Sequence, residues 1–298
     1  MKLMITGASG QVGWELRRSL LPLGEVLALD RSACDLARPD TLSALVDNVA
    51  PDVIVNAAAY TAVDRAEDEE SLATRVNGEA VGVLARAAKR HGALMVHYST
   101  DYVFDGQGDA PRIETAAVHP INAYGRSKLA GEVALVESGA DALTLRTSWV
   151  YAARGKNFLR TMLRLAQERE ELRVVADQFG APTWARNIAD ATALLVLQAM
   201  NERRVGQFRS EILHLTNGGV TTWHGFATAL IAEARRLRPD LTFRVTRIVP
   251  IESQDYPLPA PRPANSRLAG ERLFARYGLV LPPWEVAMAR CLEDWAAL

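Results

Sequence analysis

The first half of the chain alternates short apolar runs with longer amphipathic stretches. The apolar runs predict buried strands at residues 2–5, 25–30, 52–56, 94–99 and 142–147. Between them, apolar side chains recur at helical spacing after the first strand, at Val12, Leu16 and Leu20, and over residues 39–49, and a further helix is expected at residues 122–137. This alternation of strand and helix predicts an α/β fold with a doubly wound parallel sheet.

The alternation weakens after residue 150. Helices are still predicted at residues 157–168 and 187–200, with a short strand at 173–176, while prolines concentrate in residues 250–263. We expect residues 1–150 to form a dinucleotide-binding domain, to which parts of residues 170–205 return. Residues 151–298 are expected to form mainly a smaller α/β lobe that binds substrate.

A glycine-rich segment follows the first strand directly and leads into a helix. Its glycines are Gly7, Gly10 and Gly13, with the spacing of a Rossmann dinucleotide fingerprint. Gly7 permits a tight turn, Gly10 lets the backbone approach a pyrophosphate, and Gly13 lets the helix pack against the strand. The helix N-terminus would face the phosphates. A glycine-rich turn without a ligand is the alternative, which this strand-turn-helix context disfavours.

The end of the second strand bears on the choice of cofactor. Asp30 stands where an acidic residue can bind the adenosine ribose. Arg31 follows at once, and an arginine there can hold a 2′-phosphate. The two residues leave the choice between NADH and NADPH open. Small residues at 57–59 follow the third strand, where open α/β sheets bind ligands.

The candidate chemistry lies in the helix predicted at residues 122–137. Tyr124 and Lys128 are four residues apart, so they share one helix face. A nearby cation favours the charged form of a phenol, and such a pair suits proton transfer to or from an alcohol or ketone. The spacing alone is weak, because Tyr-x-x-x-Lys also occurs by chance on surface helices.

Composition excludes several classes of protein. The formal net charge is −1 over 298 residues, which argues against a nucleic-acid partner. The two cysteines are far apart and the five histidines lack metal-ligand spacing, so a metal site is not predicted. No signal peptide or membrane-spanning run is evident, and we expect a soluble, cytoplasmic protein.

Several motifs resemble those of the extended short-chain dehydrogenase/reductases. They are the glycine segment, Asn77, Ser99-Thr100 and the Tyr124/Lys128 pair. Four more are similar to the dTDP-4-dehydrorhamnose reductase family: residues 100–104 (TDYVF), 146–151 (RTSWVY), 177–183 (DQFGAPT) and 262–268 (RPANSRL). The resemblance runs from Lys2 to about Trp284. It implies reduction by NADH or NADPH of the 4-keto group of a dTDP-linked deoxysugar, in a pathway that supplies bacterial surface polysaccharides.

The resemblance also implies roles for individual residues. Tyr124 would donate a proton to the sugar's C4 oxygen, Lys128 would lower the pKa of Tyr124 and bind the nicotinamide ribose, and Thr100 would orient the reacting oxygen. The residues expected along the cofactor are Gly7, Gly10, Gln11, Val12, Gly13, Asp30, Asp35, Leu36, Ala59, Tyr60, Thr61, Tyr98, Tyr124 and Lys128.

The expected substrate contacts are Thr100, Asp101, Tyr102, Trp149 and Arg262. Tyr102 stands where related dehydratases carry a glutamate, and its phenol would be a hydrogen-bond donor to the sugar. Arg262 could pair with the substrate's diphosphate. Trp149 could instead be plain core, and Tyr98 could pack beneath the sheet.

Three further alternatives stay open. Some relatives form a dimer linked by Mg²⁺ through glutamates, and Glu15 could take part here in a homodimer. Arg186 stands where a second acidic ligand would be expected, so the sequence does not support the metal. The chain could also be a nucleotide-sugar epimerase or dehydratase on the same fold, or a non-catalytic regulatory subunit.

Overall fold

A computed structural model describes all residues 1–298, and its centre is a parallel sheet of six strands. In chain order its strands are β1 (Lys2–Thr6), β2 (Glu25–Leu29), β3 (Val53–Asn56), β4 (Leu94–Thr100), β5 (Ala142–Thr147) and β10 (Glu211–His214). Their spatial order is β2-β1-β3-β4-β5-β10. The predicted doubly wound, Rossmann-like sheet is therefore confirmed, and the chain changes direction across the sheet at β1.

Ten α-helices surround this sheet and build the C-terminal part. They are α1 (Gln11–Ser19), α2 (Pro39–Val49), α3 (Glu70–Thr74), α4 (Ala80–His91), α5 (Ala123–Ser138), α6 (Phe158–Glu168), α7 (Ala185–Arg204), α8 (Trp223–Leu237), α9 (Glu271–Tyr277) and α10 (Trp284–Ala296). Short 3₁₀ turns occupy Leu21–Leu23, Asp101–Val103 and Ser253–Asp255, and Arg75–Glu79 forms a π-helical turn. None of the helices combines the length and apolar composition needed to span a bilayer.

Both faces of the sheet are covered by helices. On one face, side chains of α1 and α7 pack with alternate residues of the strands, such as Leu3 and Ile5 of β1. On the other, α2 and α4 pack with the intervening residues, including Met4 of β1 and Ile54 of β3. Successive strand residues point to opposite faces, so strands buried on both sides read as continuous apolar runs.

The C-terminal part has an apolar core of its own. It is formed by α6, α8 and α10 around Tyr151, Phe226 and Trp284. Six short strands complete this part as three pairs: β6 (Val150–Tyr151) with β9 (Thr183–Trp184), β8 (Phe179–Gly180) with β11 (Thr221–Thr222), and β7 (Glu171–Val175) with β12 (Arg247–Ile251).

Two expectations about the C-terminal half differ from the structure. The strand predicted near 173–176 pairs with β12, away from the central sheet. The strand that does return to the sheet is β10, which pairs with β5 beyond the predicted 170–205 segment. From that segment, α7 packs against α1. The sequence predicts no helix or strand after residue 206, whereas the structure has β10 and the fifteen-residue helix α8 there.

Candidate active site

A large concave site lies at the carboxyl ends of β1, β3 and β4. It is a cavity of about 700 Å³, a size suited to a cofactor. Twelve of the residues expected along a cofactor line it: Gly7, Gly10, Gln11, Val12, Asp35, Leu36, Ala59, Tyr60, Thr61, Tyr98, Tyr124 and Lys128. Residues from five separate stretches of the first half of the sequence thus meet at one edge of the sheet.

The glycine segment forms a cradle that side chains would fill. Gly7 has a left-handed φ of +69°, and a Cβ there would lie 2.7 Å from the backbone of Ala58. A Cβ on Gly13 would overlap the carbonyl oxygen of Gly7. Gly13 therefore does not line the cavity but lets α1 pack against the turn, as predicted for the third glycine. The buried Oε1 of Gln11 has no hydrogen-bond partner, so this cradle fits a polar ligand.

Asp30 is the first predicted residue that the structure places differently. Its carboxylate accepts hydrogen bonds from the backbone and hydroxyl of Ser32, at 2.9 and 2.6 Å, and from the amide of Ala33. These hydrogen bonds lower the pKa of Asp30. Its Oδ1 is thus engaged in its own turn, while Arg31 lines the cavity, and the ribose contact of Asp30 stays a prediction. The sequence leaves the choice between NADH and NADPH open at this position. In the structure, the cationic side chain of Arg31 lines the cavity there.

Sequence reasoning missed two other cations of the cavity. Lys156 lies in the loop before α6, and Arg65 follows the third strand, where it pairs with Glu69 at 2.5 Å. Neither belongs to a motif, and Lys156 reaches the cavity from beyond the predicted domain boundary. Only the cationic charge of Lys156 beside Gly155 could have indicated a phosphate contact.

The helix α5 positions Tyr124 and Lys128. Its N-terminus is capped by Asn122, whose Oδ1 accepts a hydrogen bond of 2.8 Å from the amide of Gly125. Gly125 packs so closely on the backbone of Tyr102 that no Cβ would fit. One turn later, the ammonium of the buried Lys128 donates a 2.7 Å hydrogen bond to the carbonyl oxygen of Tyr98. The predicted face of this helix is therefore held against the end of β4.

Burial dominates the electrostatics of this pair. Burial raises the pKa of Tyr124, and the nearby charge of Asp101 raises it further, while a hydrogen bond from Thr100 lowers it. Lys128 is not among these causes, so the lowering of the tyrosine pKa by this lysine stays a prediction. Burial lowers the pKa of Lys128 itself to about 8, against the opposing effect of Glu132.

The π-helical turn supports the cavity wall through Asn77. The Oδ1 of Asn77 accepts from the amide of Tyr60 at 2.9 Å, and its Nδ2 donates to the carbonyl of Tyr60 and to the hydroxyl of Ser127. The phenol of Tyr60 donates to Glu69 at 2.6 Å. Asn77 thereby joins the loop after β3 to α5, and π-helical turns of this kind are frequent at functional sites.

Thr100 and Asp101 lie where β4 ends, next to Tyr124. The Thr100 hydroxyl is 3.0 Å from the carboxylate of Asp101, and the amide of Tyr102 donates to the same hydroxyl at 3.2 Å. The side chain of Tyr102 meets the ring of Tyr124 edge-on, with centroids 5.5 Å apart. These predicted substrate contacts therefore surround the phenol of Tyr124, although they lie outside the cofactor cavity.

The other two predicted substrate contacts are held by distant residues. Trp149, with a φ of +49°, stacks on Trp223 with centroids 3.7 Å apart. Nη2 of Arg262 donates to both carboxylate oxygens of Asp64, each at 2.8 Å. The guanidinium of Arg262 is therefore engaged in an ion pair that fastens the proline-rich loop beside residue 64, rather than free for a diphosphate.

Tyr98 and Glu15 also have protein partners. The hydroxyl of Tyr98 is 2.7 Å from that of Thr192 on α7, so the ring of Tyr98 packs beneath the sheet. The backbone carbonyl of Tyr98 accepts the hydrogen bond from Lys128. The carboxylate of Glu15 pairs with Arg186 at 3.1 Å, and Arg186 also pairs with Asp294 at 2.6 Å. No group of three or more histidine, cysteine or acidic side chains is arranged to hold a metal ion.

Comparisons with known proteins cover the whole chain. The family model described as RmlD substrate binding domain matches residues 1–297. A dTDP-4-dehydrorhamnose reductase of Burkholderia thailandensis is 59% identical over 294 residues, which are 99% of each chain.

Solved structures agree with the sequence relatives. A dTDP-4-dehydrorhamnose reductase of Clostridium acetobutylicum is 33% identical, with a TM-score of 0.88 and full coverage of both chains. The Bacillus anthracis reductase, solved in complex with NADP, is 32% identical with a TM-score of 0.86, and the match covers 98% of this chain and 99% of that one. The protein described here belongs to the dTDP-4-dehydrorhamnose reductase family of extended short-chain dehydrogenase/reductases.

Proposed function

We propose that this protein uses NADPH or NADH to reduce the 4-keto group of dTDP-4-dehydrorhamnose, giving dTDP-L-rhamnose. The observation that carries the proposal is that Tyr124 and Lys128 line the glycine-lined cavity, with Thr100 next to Tyr124 just outside it. The family assignment supports the choice of substrate. The NADP complex of the Bacillus anthracis relative supports the choice of cofactor.

The cavity fits a nicotinamide dinucleotide. The glycine cradle leaves space for a pyrophosphate, and Arg31 and Lys156 supply positive charge. Small residues, Ala57 to Ala59, line the cavity together with Lys128. When bound, the cofactor supplies the hydride that the ketone accepts.

In this mechanism the chain's own groups bind the ketone and deliver one proton. Tyr124 donates its phenolic proton to the oxygen that becomes the alcohol. Burial keeps this phenol protonated at neutral pH by raising its pKa, so it is a general acid before the reaction begins. Thr100 orients the same oxygen, and Lys128 contributes a positive charge that stabilises the phenolate as it forms.

We also propose that the two halves of the protein bind different ligands. The sheet with its helices holds the cofactor, and the lobe around α6, α8 and α10 holds the sugar nucleotide. The separate apolar core of that lobe supports this division. We place the reaction in the cytoplasm, which is supported by two free, buried cysteines.

Cofactor consumption tests the activity directly. Purified protein with the 4-keto-L-sugar nucleotide and NADPH should oxidise one equivalent of cofactor per dTDP-L-rhamnose formed. With dTDP-glucose and NAD⁺ it should form no keto-sugar. No turnover of the ketone, in protein shown to be folded by circular dichroism, would reject the reductase activity. Keto-sugar formed from dTDP-glucose would reassign the protein to dehydration.

A substitution at Tyr124 tests the proton donor. Tyr124→Phe keeps the ring but removes the hydroxyl, and we expect turnover to fall by roughly 10²–10⁴-fold, the usual range for a general acid. Tyr277→Phe is the matched control, because that buried phenol hydrogen-bonds Glu211 outside the cavity. Equal activity of the two variants would remove Tyr124 from the mechanism.

Arg31 tests the cofactor preference. We expect both NADPH and NADH to be used, since Arg31 lines the cavity and Asp30 is hydrogen-bonded to its own turn. Arg31→Ala should raise the KM for NADPH and leave the KM for NADH nearly unchanged, because only NADPH carries the 2′-phosphate. An equal rise in both constants would show that Arg31 contacts a part common to the two cofactors.

A further inference from the structure

Three neighbouring side chains form a chain of hydroxyl and carboxyl groups behind the phenol of Tyr124. Thr100 lies in the middle. Its hydroxyl is next to the phenol on one side and donates to Oδ1 of Asp101 at 3.0 Å on the other. Asp101 is 2% exposed, and its second oxygen, Oδ2, is buried without a hydrogen-bond partner of normal geometry.

The single proton of the Thr100 hydroxyl can serve only one of its neighbours. If Asp101 is ionised, its carboxylate takes that proton, and Thr100 can only accept from Tyr124. The phenolic proton then points at Thr100 and away from a ketone. If Asp101 is protonated, it donates to Thr100, Thr100 donates to Tyr124, and the phenolic proton is free for the substrate. The protonation state of Asp101 therefore decides in which direction the hydrogen bonds among these three side chains point.

We propose that Asp101 is a positioning residue and the proton store of Tyr124, linked to it through the hydroxyl of Thr100. This inference rests on the reductase activity proposed above. As hydride adds to the carbonyl carbon, Tyr124 gives its proton to the carbonyl oxygen. Thr100 gives its proton to the phenolate, and Asp101 gives its proton to Thr100. The products are the alcohol and an ionised Asp101, which solvent protonates before the next turnover.

The surroundings of Asp101 favour the stored proton. Burial is the main cause that raises its pKa, to about 6, while the hydroxyls of Ser266 and Thr100 lower it. Tyr124 of α5 and Tyr102 of its own segment face it, and both phenols stay neutral because burial raises their pKa. Arg262 and Asp64 stand one step away, beside Tyr102, and neutralise each other as an ion pair.

The pKa values of neighbouring groups separate them from Asp101. Burial and the charge of Lys128 hold the pKa of His97 well below its usual range. The pKa of Lys128 lies at about 8. A change of activity centred near pH 6 therefore belongs to Asp101, and one near pH 8 belongs to Lys128.

A simple substrate contact would behave in the opposite way. If the Asp101 carboxylate only accepted a hydrogen bond from the sugar, substrate affinity would improve as pH rises through its pKa. The proton-store role makes turnover fall as pH rises through the same range. The direction of the pH dependence, together with the split between kcat and KM, therefore distinguishes the two roles.

The test compares wild-type protein with Asp101→Asn from pH 5 to pH 9. At pH 5, we expect kcat of the variant to be lower by roughly 10²-fold, the lower end of the range for acid-base catalysis, with an unchanged sugar KM. The ratio of the wild-type kcat to the variant kcat should fall as pH rises. Only the wild-type kcat declines near pH 6, where Asp101 loses its proton, and this decline is the limb of the pH profile that the test follows. Asp105→Asn is the matched control, since Asp105 pairs with Arg112 nearby, and it should keep that limb.

Parallel pH profiles of wild type and Asp101→Asn, or a raised KM with an unchanged kcat, would overturn the proposal. If Asp101→Asn does not fold, Thr100→Ser and Thr100→Val replace it in single-turnover measurements. Serine should keep the limb near pH 6 and valine should lose it, and a valine variant that keeps the limb also overturns the proposal. Wild-type protein that does not reduce the keto-sugar at any pH would instead refute the proposed function.

Discussion

Two arginine–glutamate pairs on α5 have nearly the same geometry and opposite burial. Arg146 donates to both oxygens of Glu132 on α5, at 2.9 and 2.6 Å, and these side chains are 3% and 4% exposed. Arg126 of α5 donates to both oxygens of Glu70, at 2.7 and 2.9 Å, with exposures of 45% and 44%. Replacing each glutamate by glutamine therefore makes the same chemical change in two different environments.

The expected losses of stability differ because of desolvation. Glu132→Gln leaves the guanidinium of Arg146 buried without a counter-charge, and breaking a buried pair in this way costs about 3–5 kcal/mol. Water takes over the lost contact at Glu70, so Glu70→Gln should cost about 0.2–1 kcal/mol. Glutamine keeps the size of the side chain, so neither change opens a cavity.

Urea unfolding followed by circular dichroism measures both free energies of unfolding. A second measurement is the pH at which activity declines on the alkaline side of its pH profile, called the alkaline limb. Glu132 raises the pKa of Lys128 against the effect of burial, so Glu132→Gln should move that limb to lower pH, while Glu70→Gln leaves it in place. Similar losses of stability in the two variants would refute the role of burial, and an unmoved limb would refute the link between Glu132 and Lys128.

Two other predictions concern the substrate side of the site. Asp101 has a pKa of about 6 in the folded chain against 3.8 for the free side chain, so the folded state binds its proton more tightly. The free energy of unfolding should therefore fall by roughly 3 kcal/mol as pH rises from about 4 to about 6. In urea titrations Asp101→Asn should lack this fall, and the same pH dependence in the variant as in wild type would contradict the prediction. A Cβ on Gly180 would lie 2.8 Å from the ring of Trp149, so Gly180→Ala should raise the sugar KM and spare the cofactor KM. Gly270→Ala, with a φ of −102° and open space around it, should change neither constant.

The sequence predicts the elements that have strong local signals. The helix Pro39–Val49 begins with a proline at its first position, and it occupies the predicted residues. The strand Ala142–Thr147 likewise occupies the predicted range, because it is apolar and buried on both faces. Asn122 and Asn157 cap their helices, so the starts of α5 and α6 were predictable within a residue.

The missed features depend on residues distant in sequence. The strand β10 has only four residues and opens with Glu211, and its place in the sheet is decided by pairing with β5 rather than by its own pattern. Trp149 stacks on a tryptophan 74 residues further along, and Arg262 pairs with an aspartate from the other half of the chain. Spacing in the sequence carries no information about such contacts.

Asp30 shows a different limit, because the motif was present but its side chain has another partner. A carboxylate at the end of the second strand can bind a ribose, yet the next residues offer it a hydroxyl and two amides within 3.3 Å. Aspartate readily makes such local hydrogen bonds with its own backbone. A fingerprint therefore identifies the fold and the place of the cofactor more firmly than it identifies the atoms in contact.

The position after Asp101 explains why this site suits reduction better than dehydration. Loss of water across two sugar carbons requires a base that removes a proton bound to carbon. The resemblance puts Tyr102 at the position of that base, and burial raises the pKa of its phenol, so its phenolate is scarce at neutral pH. It lies edge-on to Tyr124, where a neutral phenol can still donate a hydrogen bond. Reduction needs only a hydride and one proton, and Tyr124 with Thr100 and Asp101 behind it can supply that proton.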